Sequence, residues 1–235
     1  MREPTHLESA HIDSFNEILN SESITVEHEE FRELGEVVDA TPGVFSLLPE
    51  WKDVILGAEL HRKTPRFNGL GCHWNTNEEL PSFGGEFWIT DVYVSLLQDP
   101  PDLAWEGSPD EERRLFEEFR VIDSTPSAAT GQMTAIRVQP NVDPLEIWYF
   151  DMNLNTVEGW DRQYVRMNLT YPEYLNALLL TKGTFGWQYL YADVSLRSEG
   201  FEGVVYALES MIEVFPDVFP GQDYASLADR LQERL

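Results

Sequence analysis

The stretch that decides the fold reads Glu-Ile-Trp-Tyr-Phe-Asp at residues 146–151 and Thr-Tyr-Pro-Glu-Tyr-Leu-Asn-Ala-Leu-Leu at residues 170–179. The first part has the aromatic and β-branched composition of a strand. The second part begins with a threonine followed three residues later by a glutamate, which is the capping box of a helix. Between them, residues 163–169 alternate in the manner of a half-buried strand. The block 146–193 is therefore predicted to run strand, loop, strand, capped helix and aromatic segment, an order that favours a binding scaffold over an enzyme.

The residues outside this block predict the rest of the sheet and its helices. We expect residues 87–94, 133–138, 145–150 and 163–169 to lie in one sheet, which is mostly antiparallel, has about four to six strands, and is backed by a helix at 171–182. The glutamate-rich residues 21–39 predict a helix with a flaw at Gly35. The glycines and prolines of residues 64–84 predict a loop.

Helices before and after the strands predict the α+β class. We expect a single domain over residues 1–235, with a loose tail at 1–10 and C-terminal helices within 200–235. A chain of 235 residues is long enough to form a core without disulfides.

Acidity is the second prominent feature of the chain. Sixteen basic and 42 acidic residues give a net charge of −26. Such a field repels phosphate backbones and anionic membrane surfaces, so we expect no nucleic-acid or membrane partner. It attracts a cationic protein and accelerates its association. A solubility device or a halophile's surface gives the same composition, and the charge by itself leaves these alternatives open.

The cysteine content and the first residues bear on location. Cys72 is the single cysteine, which excludes an internal disulfide and fits a reducing compartment. The first residues contain no apolar signal-peptide core, and no apolar run reaches the length of a membrane span. We expect a soluble, cytoplasmic protein that needs no cofactor.

Two patterns resemble metal sites but lack essential ligands. Residues 151–155 open like a calcium loop, with oxygen ligands on alternate residues, yet Thr156 replaces the glycine and Arg162 the bidentate glutamate of that motif. A hairpin loop with Asx turns is the expected structure. The pair Cys72 and His73 has no second cysteine to complete a structural zinc site. We therefore predict no bound metal.

Residues 145–193 resemble the C-terminal half of the SUKH superfamily, a broad group of cell-wall-regulator and toxin-immunity proteins. The resemblance rests on the strand that ends in Asp151, on the following strand and capped helix, and on the tail Gly186-Trp187-Gln188-Tyr189. It implies a SUKH-like α+β fold, no catalytic residues, and a role in neutralising a toxin by binding it.

Charge and resemblance together predict an antitoxin-like immunity protein, not an enzyme, whose partner is a cognate basic toxin domain. The predicted contact residues combine acids with an aromatic anchor: Asp151, Glu158, Trp160 and Asp161. Two alternatives stay open. One is a small-molecule or glycan-binding module that uses Trp74, Trp88, Trp160 and Trp187, and the other is a hydrolase with paired carboxylates such as Asp151 and Asp161.

Overall fold

The computed structural model describes residues 2–37, 43 and 45–235. Within these residues, seven helices and two antiparallel sheets confirm the predicted α+β class. The helices are α1 (His6–Asn20), α2 (Ala58–Arg62), α3 (Val92–Leu96), α4 (Asp110–Glu117), α5 (Tyr171–Thr181), α6 (Glu202–Val218) and α7 (Ala225–Arg234). The strands are β1 (Ile24–Phe31), β2 (Leu70–Thr76), β3 (Gly84–Ile89), β4 (Phe119–Ser124), β5 (Met133–Arg137), β6 (Glu146–Phe150) and β7 (Tyr164–Met167). Short 3₁₀ helices lie at Pro49–Trp51, Leu154–Thr156, Trp187–Tyr191 and Glu199–Phe201.

The strands form two sheets rather than the single sheet that was predicted. A three-stranded sheet has the order β1-β2-β3, and a four-stranded sheet has the order β4-β5-β6-β7. The predicted neighbours at 133–138, 145–150 and 163–169 are confirmed as β5, β6 and β7, whereas the strand near residue 87 belongs to the other sheet. The two sheets meet where the Asp123 carboxylate of β4 accepts the Trp88 N–H of β3 at 2.6 Å.

The predicted strand at 87–94 is too long at its C-terminal end. β3 stops at Ile89, and the Asp91 side chain accepts the Tyr93 N–H at 2.9 Å as the N-cap of α3. Val92 and Val94 therefore lie in a helix despite their preference for strands. The cap and the burial of the apolar side of α3 outweigh the propensity of the β-branched residues.

The predictions for residues 21–39 and 64–84 are wrong. Residues 24–31 form β1 instead of a helix, and they pair with β2 from Ile24 opposite Thr76 to Phe31 opposite Leu70. Residues 38 and 39 lie outside the described residues. β2 lies within the predicted loop, and its Gly71 is needed for a close approach rather than a turn. A Cβ atom on Gly71 would lie 2.3 Å from the Trp88 ring.

The predicted loose tail at 1–10 ends earlier than expected. α1 begins at His6, and Thr5 and Glu8 form a capping box at its start. The buried Glu8 carboxylate also accepts hydrogen bonds from the Arg2 guanidinium and from the Arg66 N–H. Burial opposes its charge, but these hydrogen bonds lower the pKa of Glu8 to about 2. Residue 1 lies outside the described residues.

α5 confirms the predicted capped helix. The Glu173 carboxylate accepts both the N–H and the hydroxyl of Thr170, at 2.7 and 2.8 Å. The helix ends at Thr181, and Lys182 follows it in the left-handed conformation with φ 51°. One face of α5 buries Tyr174, Leu175 and Leu178 in the main core.

The main core draws on both ends of the chain. It includes Phe15 from α1 and Leu231 from α7, and the helices predicted within 200–235 are confirmed as α6 and α7. The aromatic segment 187–191 is a 3₁₀ helix inside this core. A second, smaller cluster lies between α4 and the four-stranded sheet and contains Leu115, Phe116, Phe119, Ala135, Phe150 and Tyr164. None of the helices in the described residues is long and apolar enough to span a membrane.

Candidate functional site

The four predicted contact residues do not form one surface. Asp151 is buried, so the prediction that it faces a partner needs correction, whereas Trp160 is half-buried and packs in part against the main core. Glu158 is exposed, and the Asp161 side chain is 93% exposed. Of the predicted set, Glu158 and Asp161 are therefore the residues that a partner can reach freely.

Asp151 has a structural role. Its carboxylate accepts hydrogen bonds from the Asn153 N–H at 2.9 Å, from the Gln132 side-chain amide at 3.0 Å and from the Tyr189 hydroxyl at 3.0 Å. The bond to Asn153 is the predicted Asx turn. Since Asp151 is buried and Asp161 faces solvent, the two carboxylates do not share a surface for acid–base chemistry.

The hydrogen bonds of Asp151 predict that calcium leaves the stability of the protein unchanged. The Asp151 oxygens that would open a calcium loop are already satisfied inside the protein. We expect the melting temperature, followed by circular dichroism, to be the same in excess calcium and in chelator. A rise in calcium that is absent with magnesium would show that the loop binds the ion.

The tryptophans proposed for a glycan site do not converge. Trp74 and Trp187 are fully buried in the main core, where the Trp74 indole N–H donates to the Lys182 carbonyl at 2.8 Å. Trp88 lies elsewhere, on β3, and is half-buried. Because two of the four rings are inaccessible, a site made of all four is wrong.

Cys72 and His73 do not form a metal centre with their neighbours. Cys72 is buried on β2, and burial raises the pKa of its thiol to about 12. His73 Nδ1 lies 3.2 Å from the Ser127 hydroxyl. Among the described residues, no group of three or more histidine, cysteine, aspartate or glutamate side chains is placed to hold a metal ion.

The folded chain forms an acidic cleft, which we call the Trp105 cleft. It has a volume of about 340 Å³ and lies between the start of α4 and the segment before β7. Its lining includes Trp105, Glu111, Glu112, Phe116, Asp161 and Tyr164. Phe116 and Tyr164 belong to the second hydrophobic cluster, so the floor of the cleft is a packed part of the fold.

Trp105 is exposed but held in place. It is 68% exposed. The Arg113 guanidinium of α4 donates to the carbonyl oxygens of Trp105, Glu106 and Ser108, the last two at 2.8 and 3.0 Å. The indole lies against Gly107, where a Cβ atom would come within 2.2 Å of the ring. A large apolar ring is thus presented to solvent on a loop whose backbone is already ordered.

Ser108 takes part in this loop and does not cap the helix that follows it. α4 begins at Asp110 with Pro109 at the N-cap position, and no side-chain cap bond forms there. The Ser108 hydroxyl accepts the Trp105 N–H at 3.3 Å, and the Ser108 N–H donates to the Trp105 carbonyl at 3.0 Å. The serine therefore shapes the tryptophan loop.

Charge around the cleft is strongly one-sided. Glu111 and Glu112 lie in the first turn of α4, where carboxylates complement the helix dipole. Asp161 lines the cleft from the segment before β7 and pairs at 3.8 Å with Arg162, whose guanidinium is 6.0 Å from the Tyr164 ring centroid. Three carboxylates thus face one guanidinium. The cleft can bind a cationic surface, with Trp105 as an apolar anchor.

A second cavity, of about 520 Å³, lies between α2 and α5. Its lining is mainly apolar, with Ile55, Leu60 and Leu145, and it also includes Lys63 and Asp143. This volume is in the range that small ligands occupy. Its Glu173 carboxylate is already engaged by Thr170, so the cavity supplies shape and apolar contact more than chemistry.

Comparison of the chain with protein-family models, with curated proteins and with solved structures finds no match. The resemblance to the SUKH superfamily therefore stays a prediction.

Proposed function

We propose that this protein binds a basic protein partner and neutralises it by covering its surface, as a toxin-immunity protein does. The contact surface is the Trp105 cleft. The observation that carries the proposal is a tryptophan that is 68% exposed, is fixed by Arg113, and lies in a cleft with Glu111, Glu112 and Asp161. The resemblance of residues 145–193 to the SUKH superfamily supports the same kind of function.

The anchor and the acids have different roles in this binding. Tryptophan is enriched among the residues that dominate binding energy, because its large ring fills a partner's pocket and excludes water. The loop around Trp105 is ordered before the partner arrives, which reduces the entropy lost on binding. The carboxylates and the net charge of −26 attract a cationic partner and increase its association rate.

Occlusion requires no reaction at the cleft. Its carboxylates act as charges toward lysine and arginine side chains of the partner, and its aromatic groups supply apolar contact. We therefore propose a binding protein rather than an enzyme.

A capture experiment with matched variants tests the proposal. The baits are the wild type, Trp105→Ala, and two double variants that change the net charge equally, Glu111→Lys with Glu112→Lys and Glu27→Lys with Glu29→Lys. Glu27 and Glu29 are exposed on β1, in the other sheet. We expect a basic protein from the source cells to bind the wild type and the β1 variant, to bind the two cleft variants weakly, and to lose its toxicity in the complex. Equal capture by all four baits would contradict the cleft assignment.

The two kinds of cleft variant should differ in kinetics. We expect the Glu111→Lys/Glu112→Lys variant to slow association and to flatten its dependence on salt, because exposed charges act mainly on encounter. We expect Trp105→Ala to accelerate dissociation about tenfold or more, because a buried anchor is lost. Surface plasmon resonance with the purified partner at two salt concentrations measures both constants. Rates that match those of the β1 control would place the contact elsewhere.

A further inference from the structure

We propose that the three-stranded sheet carries a second site, a groove that binds a neutral carbohydrate with a sugar ring stacked on Trp88. This site is independent of the Trp105 cleft and of the function proposed for it. The groove has a volume of about 470 Å³ and is lined by His28, Trp88, Ser124, Pro126 and Ser127. It lies on the face of the sheet opposite to the buried Phe87 and Ile89, because neighbouring side chains on a strand point to opposite faces.

Gly71 on β2 leaves the space that the Trp88 ring occupies. Trp88 pairs with Gly71 across β2 and β3. A Cβ atom on Gly71 would lie 2.3 Å from Trp88 Cε3, and one on Gly69 would lie 3.6 Å from Trp88 Cζ2. The indole therefore lies across the glycine backbone, and any larger residue at 71 would displace it. This places an aromatic ring along the groove as a stacking platform.

The walls of the groove are fixed by buried carboxylates. The Glu86 carboxylate accepts the N–H groups of Ser127 and Ala128, each at 2.7 Å, and so holds the loop that carries Pro126 and Ser127. The Asp123 carboxylate accepts the Trp88 N–H at 2.6 Å. The groove is thus formed before a ligand binds, which favours affinity at a shallow site.

The lining indicates the class of ligand. The His28 ring lies within 22° of parallel to the Trp88 ring, with centroids 6.4 Å apart, so a second flat ring borders the platform. The hydroxyls of Ser124 and Ser127 and the His28 imidazole can donate and accept hydrogen bonds. The five lining residues include no carboxylate, lysine or arginine, in a chain of net charge −26.

A neutral, polyhydroxylated ring fits these features best. The C–H face of a pyranose packs on an indole, and its hydroxyls match serine and imidazole partners. A nucleotide offers a flat base, but its phosphates are repelled by the overall charge, and the Arg32 guanidinium, whose side chain lies over Gly69 beside Trp88, is already paired with Glu30. A neutral oligosaccharide is therefore the expected ligand.

Nuclear magnetic resonance on protein with ¹⁵N-labelled tryptophan tests the site. The probes are cellotetraose, maltotetraose and N-acetylchitotetraose, with adenosine as the competing class. We expect at least one oligosaccharide to shift the Trp88 indole signal saturably and adenosine to leave it unchanged. Trp88→Ala should weaken binding about tenfold or more, because the stacking contact is lost. Trp105→Ala, which removes an exposed tryptophan from the other site, should bind like the wild type.

A second variant keeps the test decisive if Trp88→Ala does not fold. His28 is exposed, so His28→Ala should fold normally and weaken binding several-fold. Absence of binding by all three oligosaccharides, unchanged affinity in a folded Trp88→Ala or His28→Ala variant, or binding of adenosine at Trp88 would each overturn the proposal.

Discussion

Replacing Leu178 by alanine is expected to lower the free energy of unfolding by about 2–5 kcal/mol. Leu178 lies on α5, is 2% exposed and belongs to the main core. Removing its side chain loses buried apolar surface and leaves a cavity that a packed core closes only in part. Urea denaturation followed by circular dichroism measures the loss.

The neighbouring Leu179 is the matched control. It carries the same side chain on the same helix but is only half-buried. Leu179→Ala should therefore cost about 1 kcal/mol or less, since fewer contacts are lost. Equal losses in the two variants, or no loss in either, would contradict the orientation of α5.

Replacing Asp123 by asparagine is expected to remove a pH dependence of stability on the order of 4 kcal/mol. Asp123 is fully enclosed between the sheets and α5, where its carboxylate accepts hydrogen bonds from the Trp88 N–H and from the Tyr174 hydroxyl at 2.5 Å. Burial raises the pKa of Asp123 to about 7 from the ordinary value of 3.8, and the nearby Glu86 adds to the increase. The hydrogen bonds oppose this shift but do not cancel it.

Asp123 makes the protein less stable as the pH rises, because the native and unfolded states bind different numbers of protons. Between pH 4 and pH 7 the unfolded chain has an ionised Asp123 while the native protein keeps the proton, so the native state binds more protons. The stabilisation from this group is complete below pH 4 and is lost as the pH rises to 7. Asparagine has nearly the same shape but does not ionise. The variant should therefore gain stability relative to the wild type across this range and show a constant difference above it.

Comparing the two proteins isolates Asp123 from other titrating groups. His11 is buried, and burial lowers its pKa to about 3, which makes stability rise with pH in the wild type and the variant alike. Asp161→Asn is a control for the loss of one carboxylate at an accessible position, because its side chain is 93% exposed. Unfolding free energies measured at intervals from pH 4 to pH 8 give the comparison. A parallel profile for Asp123→Asn would show that this carboxyl is not perturbed.

Local patterns accounted for the elements whose signals lie close together in the sequence. The capping box of Thr170 and Glu173 predicted α5, and the alternation over 163–169 predicted β7. Both signals act over a few residues, so they do not depend on distant contacts. The predictions for residues 21–39 and 64–84 were wrong because the structure of these residues does depend on distant contacts. β1 and β2 are strands because they pair with each other, and Gly71 serves the contact with Trp88 rather than a turn.

In the candidate site, too, some features were predictable from the sequence and others depended on distant contacts. The acidity and the aromatic content of the chain were evident from composition, and Asp161 of the predicted contact set does line the cleft. The burial of Asp151 was not evident from the sequence, because its partners Gln132 and Tyr189 come from other parts of the chain. Trp105 was missed, although an aromatic residue in a glycine- and proline-containing loop before an acidic helix start is a usable signal of an exposed anchor.

The sequence by itself determined the α+β class, the capped helix α5, the C-terminal helices and the acidic surface. These depend on composition and on spacing within single elements. Only the tertiary structure decided that the strands divide into two sheets, that Asp151 is enclosed, and that Trp105 and Asp161 line one cleft. The physical reason is that strand partners, burial and converging side chains depend on which distant segments pack together, and the energy of that packing belongs to the pair of segments and not to either one.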